Sequence, residues 1–332
     1  MSRSASPGAA AFRRFGAVGG GTRPVLAVDV GGTKIAAALV AEDGRILRGS
    51  SVPTPGGRDA DLVADAVVRA VADLDAAGGV AAVGIGSAGP LDVVAGTVSP
   101  VNIPAWRGYP IVATLRAAVP GVPVALAGDG QCMALGEYWR GEGEVRALLG
   151  MVVSTGVGGG VVLDGRVQTG PTGSAGHIGH ITVDPDGPRC PCGGRGCVEV
   201  YASGPSMVRW AREQGWTPGS GADGAGLATD ARAGDPVARA AFERGARAVA
   251  AAIVCAAALV ELDEVVLGGG VVNGAADLLL DPIRAGMAAI AGLEFIRRVR
   301  VRASTLGAEA GLLGAAALGL EAATREHHAV VA

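Results

Sequence analysis

Four potential metal ligands lie close together in the sequence. They are one histidine and a group of three cysteines spread over eight positions: His180, Cys190, Cys192 and Cys197. An imidazole and three thiolates form a normal tetrahedral ligand set for zinc, and the neighbouring glycines and prolines permit tight wrapping of the chain. Free cysteines prefer buried regular structure, so unligated thiols in this polar loop are the less favoured interpretation. Because four protein ligands close the coordination sphere, the spacing predicts a structural zinc.

Two glycine-rich turns each follow an apolar strand. The first lies in the segment VDVGGTK and contributes Gly31, Gly32, Thr33 and Lys34. The second lies in STGVGGG and contributes Thr155, Gly156, Gly158 and Gly159. Successive backbone N–H groups beside hydroxyls, and in the first turn an ammonium, favour an anion such as phosphate. One such turn alone is as consistent with an ordinary hairpin, whereas two predict that one polyphosphate is bound from both sides.

A third glycine segment, Gly268 to Gly270, lies between a predicted strand and a predicted helix. Gly268 and Gly269 would let the backbone approach a nucleotide base or ribose, although a plain strand-to-helix connection fits nearly as well. The pattern G-x-G-x-x-G also occurs from Gly84 to Gly89, but Pro90 follows at once and no acidic residue lies between positions 92 and 129. A dinucleotide-binding site is therefore excluded at that place.

Asp129 is the candidate catalytic residue. It lies between two glycines where a predicted strand passes into a predicted helix. Aspartate is a favourable helix N-cap, so its position alone is consistent either with capping or with a general base beside a substrate hydroxyl.

The elements that position these residues alternate between strands and helices. Period-2 and period-3.6 patterns predict strands at 25–30, 34–40, 45–52, 81–85, 122–127, 148–154, 264–267 and 299–303, and helices at 59–77, 129–139, 205–213, 236–260, 275–291 and 309–323. Residues 217–226 are predicted to form a surface loop. Each half begins with a strand, a glycine turn and a second strand, which suggests a duplicated βββαβα unit.

Composition limits the class of protein. With 332 residues the chain is long enough for two domains, and 49% of the residues are hydrophobic. The net charge of −3 and the 3% aromatic content argue against nucleic acid or a membrane as partner. The uncharged apolar run 248–260 is too short to span a bilayer. Residues 1–23 lack a secretory pattern and are interpreted as a flexible leader, so a cytoplasmic location is expected.

Together these segments resemble the ROK family (repressors, open reading frames and kinases) of sugar kinases, from about Val25 to Leu320. The most specific match is AGHIGH with DPDGPRCPCGGRGCVE. The resemblance implies an α/β, two-lobed actin-like ATPase (ribonuclease H-like) fold with a zinc-bearing loop, 175–199, in the second lobe. It divides the chain into the leader 1–23, a first lobe 24–128 joined by helix 309–323, a second lobe 129–308 and a tail 325–332.

The resemblance also implies the reaction, which is transfer of the γ-phosphate of ATP to the 6-hydroxyl of a hexose or N-acyl hexosamine. Asp129 would be the general base, Asp29 would lie near Mg²⁺, and His180 would contact both zinc and sugar. The sugar-binding residues implied by the family are Asn102, Asp129, His177, His180 and Glu199. A homodimer or higher homo-oligomer is expected from the family.

Two departures from the glucose-specific pattern concern the substrate. His177 replaces a glutamate, and a neutral imidazole can donate a hydrogen bond to a carbonyl acceptor such as an N-acyl group. Gly128 and Gln131 replace two asparagines that flank the catalytic aspartate, and both His177 and Gln131 resemble the N-acetylmannosamine kinase branch. The flanks of Asn102 instead resemble glucokinases. A glucokinase strictly specific for glucose, or a non-catalytic sugar-sensing regulator, is the alternative, although the N-terminus is short for a DNA-binding domain.

Overall fold

The computed structural model describes residues 23–74, 79–142 and 145–331, with side chains up to Arg325. Two compact units are formed: the first comprises the described parts of Met1–Val145, Gly160–Gly176 and Ala308–Ala332, and the second comprises Arg146–Gly159 and His177–Gly307. The predicted leader, apart from Arg23, and residues 75–77 of the first predicted helix lie outside the described residues.

The strands occur close to their predicted positions. In chain order they are β1 (Val25–Val30), β2 (Lys34–Val40), β3 (Ile46–Pro53), β4 (Val83–Ser87), β5 (Leu91–Asp92), β6 (Thr97–Val98), β7 (Val124–Gly128), β8 (Ala147–Val153), β9 (Val157–Leu163), β10 (Arg166–Val167), β11 (Glu264–Gly268) and β12 (Arg300–Ala303). The predicted alternation of apolar runs with glycine turns is therefore confirmed, because hydrophobic runs bounded by turn residues are strong local signals.

The helices follow the same order along the chain. They are α1 (Ala60–Ala72), α2 (Ile111–Ala118), α3 (Asp129–Arg140), α4 (Glu199–Ala202), α5 (Gly204–Glu213), α6 (Gly224–Ala233), α7 (Pro236–Val260), α8 (Gly270–Ile290), α9 (Glu294–Arg297) and α10 (Ala310–Val331). None of these helices combines the length and the hydropathy that crossing a lipid bilayer requires.

Two five-stranded sheets share one strand order. In the first, the order is β3-β2-β1-β4-β7, with β1, β2 and β3 antiparallel and β4 and β7 parallel to β1. In the second, the order is β10-β9-β8-β11-β12, with β9 and β10 antiparallel and β11 and β12 parallel to β8. The first three strands of each group are consecutive, and the next two are added on the other side of the first. This repetition confirms the duplicated unit.

Glycines allow α3 and α10 to pack at very short range in the first unit. A Cβ atom on Gly314 would lie 1.6 Å from the carbonyl oxygen of Cys132, and one on Gly136 would lie 2.1 Å from that of Ala310. A Cβ on Gly84 of β4 would lie 1.7 Å from the carbonyl oxygen of Ala315. Real side chains do not tolerate such distances, so glycine is required at these crossings.

This packing fixes the boundary between the units. Helix α3 belongs to the first unit, which extends to Val145, because α3 packs along α10. The sequence-based division assigned residues 129–145 to the second lobe and differs from the structure here. The helical pattern of α3 gave no indication of which core it would cover.

Four other local features differ from the sequence-based expectations. Helix α2 was not predicted, although Pro110 precedes it and its apolar residues are buried. Helix α6 begins at Gly224, inside the predicted loop 217–226, because Asp223 caps it by accepting from the N–H of Gly226. Helix α8 begins at Gly270 and breaks at Ala275, where φ is −147°, so the predicted start coincides with a kink. Helix α10 runs to Val331, through most of the predicted tail.

Candidate active site

The first glycine turn connects β1 and β2 in the first unit. The N–H of Gly31 donates to the carbonyl of Lys34 over 3.0 Å and closes the turn, with Gly32 and Thr33 at its tip. The side chain of Asn102 lies directly against this tip, since a Cβ on Gly32 would be 2.5 Å from Asn102 Nδ2. A predicted phosphate-binding residue and a predicted sugar ligand are thus in contact.

Asp129 is the first residue of α3, and its carboxylate is exposed. Gly128, with extended backbone angles, occupies the N-cap position, so Asp129 does not cap the helix and that structural explanation for it fails. Its Oδ1 accepts from the N–H of Gly130 at 2.7 Å. An exposed carboxylate held at a helix N-terminus is sterically able to reach a substrate hydroxyl.

Asp29 is a second carboxylate near Asp129. Its pKa is raised to about 6, chiefly by burial and then by the Asp129 carboxylate, while Lys34 acts in the opposite direction. The group lies between two glycines, since a Cβ on Gly311 would be 3.1 Å from Oδ2 and one on Gly86 would be 3.5 Å from Oδ1. Two neighbouring carboxylates suit a hard divalent cation such as Mg²⁺, and a bound cation would favour the ionised form of Asp29.

The amide of Gln131 is a structural feature of the site that the sequence did not reveal. Its Oε1 accepts from the N–H of Gly128 at 3.0 Å. Its Nε2 donates to the carbonyls of Gly173 at 3.1 Å and Ala175 at 2.7 Å. Both amide hydrogens are therefore used, so Gln131 ties the start of α3 to the segment before His177 and has no donor left for a ligand.

In the second unit, two predicted nucleotide motifs open onto one cavity. One is the second glycine turn, between β8 and β9, and the other is the Gly268–Gly270 connection. They meet because Gly269, at φ +93°, packs against Val153 at the end of β8. The cavity beside them has a volume of about 850 Å³. Its lining includes Thr155, Gly270, Met207, Val208, Ala228 and Phe242.

Its size and apolar lining suit a small organic ligand such as a nucleoside. The helices α5 and α6 that supply most of the wall were not part of the sequence-based site. Neither carries a recognisable motif, and nothing in the sequence places them beside Thr155.

Glu199 is tied to the second glycine turn. Its Oε2 accepts from the N–H of Val157 at 2.9 Å, and a Cβ on Gly156 would lie 2.7 Å from that oxygen. Gly156 lies at the tip of the turn, whereas Gly158 and Gly159 lie within β9. A Cβ on Gly179 would lie 1.9 Å from the carbonyl oxygen of the same residue, Val157.

The four predicted zinc ligands come together in the second unit. Their ligand atoms all lie within 4.8 Å of one another. Cys190 Sγ is 3.9 Å from His180 Nδ1, and Cys192 Sγ is 3.8 Å from Cys197 Sγ. Tetrahedral zinc with bond lengths of about 2.0 to 2.3 Å requires ligand separations of about 3.6 to 3.8 Å. The donor set and its spacing therefore fit zinc.

Backbone hydrogen bonds hold this cluster in a small folded loop. The N–H of Val183 donates to the carbonyl of Gly196, and the N–H of Val198 donates to that of Ile181. Burial, followed by the neighbouring thiols, raises the pKa of Cys197 to about 12, so zinc binding must displace a proton. The loop fixes the path from His180 to Glu199, and zinc would stabilise that path.

His177 and His180 lie at either end of one short 3₁₀ turn. Both imidazoles are exposed, and their ring centroids are 6.2 Å apart. Because Nδ1 of His180 faces Cys190, the Nε2 atom on the opposite side of the ring is directed away from the cluster. The contact with the cysteine cluster therefore uses only one of the two ring nitrogens of His180.

Each unit therefore gathers part of the predicted site. In the first, Asn102 contacts the turn at Gly32, and Asp29 lies near Lys34 of that turn and near Asp129 at the start of α3. The second brings together the turn at Gly156, the Gly268–Gly270 connection, Glu199, and the histidine and cysteine cluster.

Comparison with known proteins places the whole described core in one family. The profile of the ROK family matches residues 25–322. A glucokinase from Streptomyces coelicolor is 36% identical over 313 residues, which cover 89% of this chain and 97% of that protein. An N-acetylmannosamine kinase from Citrobacter koseri is 38% identical over 296 residues, covering 88% of this chain and 97% of that protein.

Solved structures agree in fold. The crystal structure of a ROK family glucokinase from Streptomyces griseus in complex with glucose and AMPPNP has 38% identity and a TM-score of 0.76, covering 89% of this chain and 99% of that chain. A ROK family transcriptional regulator has a TM-score of 0.78 with 24% identity, covering 93% of this chain and 81% of that chain. At this identity the likeness concerns the fold alone.

Proposed function

The chain belongs to the ROK family, and on this premise we propose that it is an ATP-dependent sugar kinase acting on a hexose or an N-acyl hexosamine. The observation that carries the proposal is the cavity of about 850 Å³ where the two glycine motifs of the second unit meet. An apolar cavity beside a turn suited to phosphate is what a nucleoside triphosphate needs. The glucokinase solved with AMPPNP and the kinase names of the relatives support the same assignment.

Asp129 is the proposed general base. The sugar 6-hydroxyl oxygen attacks the γ-phosphorus, the bond from that phosphorus to the β,γ-bridging oxygen breaks, and ADP leaves with the bonding electron pair. The hydroxyl proton passes to a carboxylate oxygen of Asp129. Phosphoryl transfer requires mainly positioning and charge stabilisation. A general base of this kind increases the reaction rate by about 10²- to 10⁴-fold.

Other predicted residues bind and orient the substrates. The turns at Gly31–Lys34 and Thr155–Gly159, with Gly268 and Gly269, are proposed to hold the nucleotide. Asn102, His177, His180 and Glu199 are proposed to hold the sugar. Mg²⁺ near Asp29 would neutralise phosphate charge, and zinc on the His180 cluster would fix the sugar-binding segment.

His177 is the residue proposed to select the sugar. The N–H of an exposed imidazole can donate to the carbonyl of an N-acyl group, whereas a glutamate would accept from a sugar hydroxyl. This favours an N-acetylmannosamine-like substrate. Strict specificity for glucose is the second candidate, since relatives of both kinds match about equally well.

The test is ATP consumption with glucose, N-acetylmannosamine and N-acetylglucosamine offered separately. Asp129→Asn is expected to reduce kcat by about 10²- to 10⁴-fold while sugar affinity stays within about tenfold. Asp65→Asn, which changes an exposed carboxylate on α1, is the matched control. Absence of turnover with any sugar of a broad panel would refute the kinase assignment and favour the sugar-sensing regulator.

A second substitution tests the selectivity. His177→Glu should shift the ratio of kcat/KM values from the N-acyl sugar toward glucose. An unchanged ratio would show that His177 does not select the sugar.

A further inference from the structure

The backbone of Val157, at the start of β9, is held by two segments that belong to the predicted sugar site. Its N–H donates to Glu199 Oε2 at 2.9 Å. Its carbonyl oxygen lies against the backbone of Gly179, where a Cβ would come within 1.9 Å. Val157 itself is only 6% exposed. The position of the glycine turn therefore depends directly on the placement of Glu199 and of the 3₁₀ turn that carries His180.

The charge of Glu199 bears on phosphate binding. Its carboxylate oxygen lies over Gly156, at the tip of the turn proposed to contact the triphosphate. A carboxylate beside a phosphate site repels the phosphate, and the repulsion is strongest when that carboxylate makes few other hydrogen bonds. A sugar hydroxyl that donates to the other oxygen of Glu199 would draw charge away from the turn and hold the side chain in place.

The first unit has a corresponding contact. The side chain of Asn102, a proposed sugar ligand, packs on Gly32, with its Cγ 2.6 Å from the position of a Cβ there. In each unit, a glycine of a proposed phosphate turn thus touches the side chain of a proposed sugar ligand. A bulkier residue at either glycine would displace that ligand.

We propose that Glu199 is shared between the two substrates and makes their binding mutually favourable. One carboxylate oxygen accepts from the sugar, and the other fixes the phosphate turn through the N–H of Val157. The inference rests on the proposed function, since the sugar contact of Glu199 is part of it. By linkage, sugar and nucleotide then strengthen each other's binding by one common factor.

The experiment measures that factor by calorimetry. The Kd of Mg²⁺-AMPPNP is determined with and without a saturating concentration of the panel sugar that binds most tightly. The wild-type protein is expected to bind AMPPNP about 5- to 150-fold more tightly with sugar present, and to bind the sugar more tightly with AMPPNP by the same factor. Absence of coupling in the wild-type protein would overturn the inference.

Two alanine substitutions in the same hairpin separate the coupling from other effects. In Gly156→Ala the new methyl group displaces the Glu199 carboxylate, so the coupling factor should fall to about one. In Gly158→Ala the methyl group meets no atom within 4 Å, so the factor should be retained whatever happens to each Kd. A wild-type factor in Gly156→Ala would overturn the inference.

Glu199→Asp provides a second route if Gly156→Ala folds poorly. The charge is kept, but the shorter side chain cannot reach Val157, and the coupling should again be lost. Coupled binding without turnover would refute the proposed kinase activity and leave the inference standing. Failure of every sugar to bind would overturn both.

Discussion

Replacement of Gln131 tests whether its amide network positions the start of α3. The side chain is 2% exposed and makes three hydrogen bonds, one to the Gly128 N–H and two to the carbonyls of Gly173 and Ala175. Gln131→Leu keeps a side chain of similar volume and removes all three. It therefore isolates the polar contribution from packing.

The expected cost follows from the number of bonds. A net contribution of about 0.5 to 1.5 kcal/mol for each hydrogen bond gives a loss of about 2 to 4 kcal/mol in the free energy of unfolding. In a domain of roughly 150 to 250 residues, this corresponds to a decrease in Tm of about 5 to 15 °C. Because Asp129 lies two residues before Gln131, kcat is expected to fall as well.

A charged variant adds a readout that depends on pH. In Gln131→Glu, a carboxylate would face the two carbonyl oxygens and would bind a proton to relieve the repulsion, so its pKa in the folded state is raised. A carboxyl group whose pKa is higher in the folded state stabilises the protein at pH values below its pKa in the unfolded state. This stabilisation is lost as the pH rises through its pKa in the folded state. The Tm deficit relative to wild type should therefore be smaller at pH 5 than at pH 8.

The assay is thermal unfolding together with steady-state kinetics. Gln168→Leu is the matched control, because that amide donates to the carbonyl of Arg166 only two residues away. The control is expected to change Tm by less than about 2 °C. If Gln131→Leu is as stable and active as the control, the amide network does not position α3 and the reasoning is refuted.

Three further predictions concern packing, metal and proton binding. Gly314→Ala should lower Tm by at least about 5 °C, because its Cβ would lie 1.6 Å from a carbonyl oxygen, whereas Gly292→Ala, with open space, should be neutral. Cys192→Ser should abolish the bound zinc detected by elemental analysis and should weaken sugar binding, whereas Cys255→Ser should do neither. A metal-free variant with wild-type sugar affinity would contradict this prediction. Asp29→Asn should raise the Tm of the ligand-free protein at pH 8 but not at pH 4. The pKa of Asp29 is raised to about 6, so its ionisation lowers the stability of the folded protein as the pH rises through that value. An equal change in Tm at both pH values would contradict this assignment.

Much of the site was predictable because its signals are local. The zinc ligands are close in sequence and of distinctive type, and the structure confirms that they cluster. The glycine turns adjoin apolar strands, so their place at strand ends followed from period and turn chemistry. The roles of Asn102, His177 and Glu199 came from family resemblance and remain proposals.

Other features were beyond the reach of the sequence. Asp129 was consistent with a helix cap until the structure placed Gly128 at the N-cap. The cavity wall formed by α5 and α6 carries no motif, and α6 partly overlaps a segment that was expected to be a loop. In each case the outcome depends on which distant segment packs nearby, and local propensity carries no information about that.

The sequence alone determined the strand and turn periodicity, the metal-ligand set and which positions are glycine. Tertiary structure decided what those glycines touch: Gly32 meets Asn102, Gly156 meets Glu199, and Gly314 meets the backbone of Cys132. The physical reason is that composition and spacing act through short-range backbone preferences. Contacts at ångström range between remote segments arise only when close packing of the whole core fixes their relative positions.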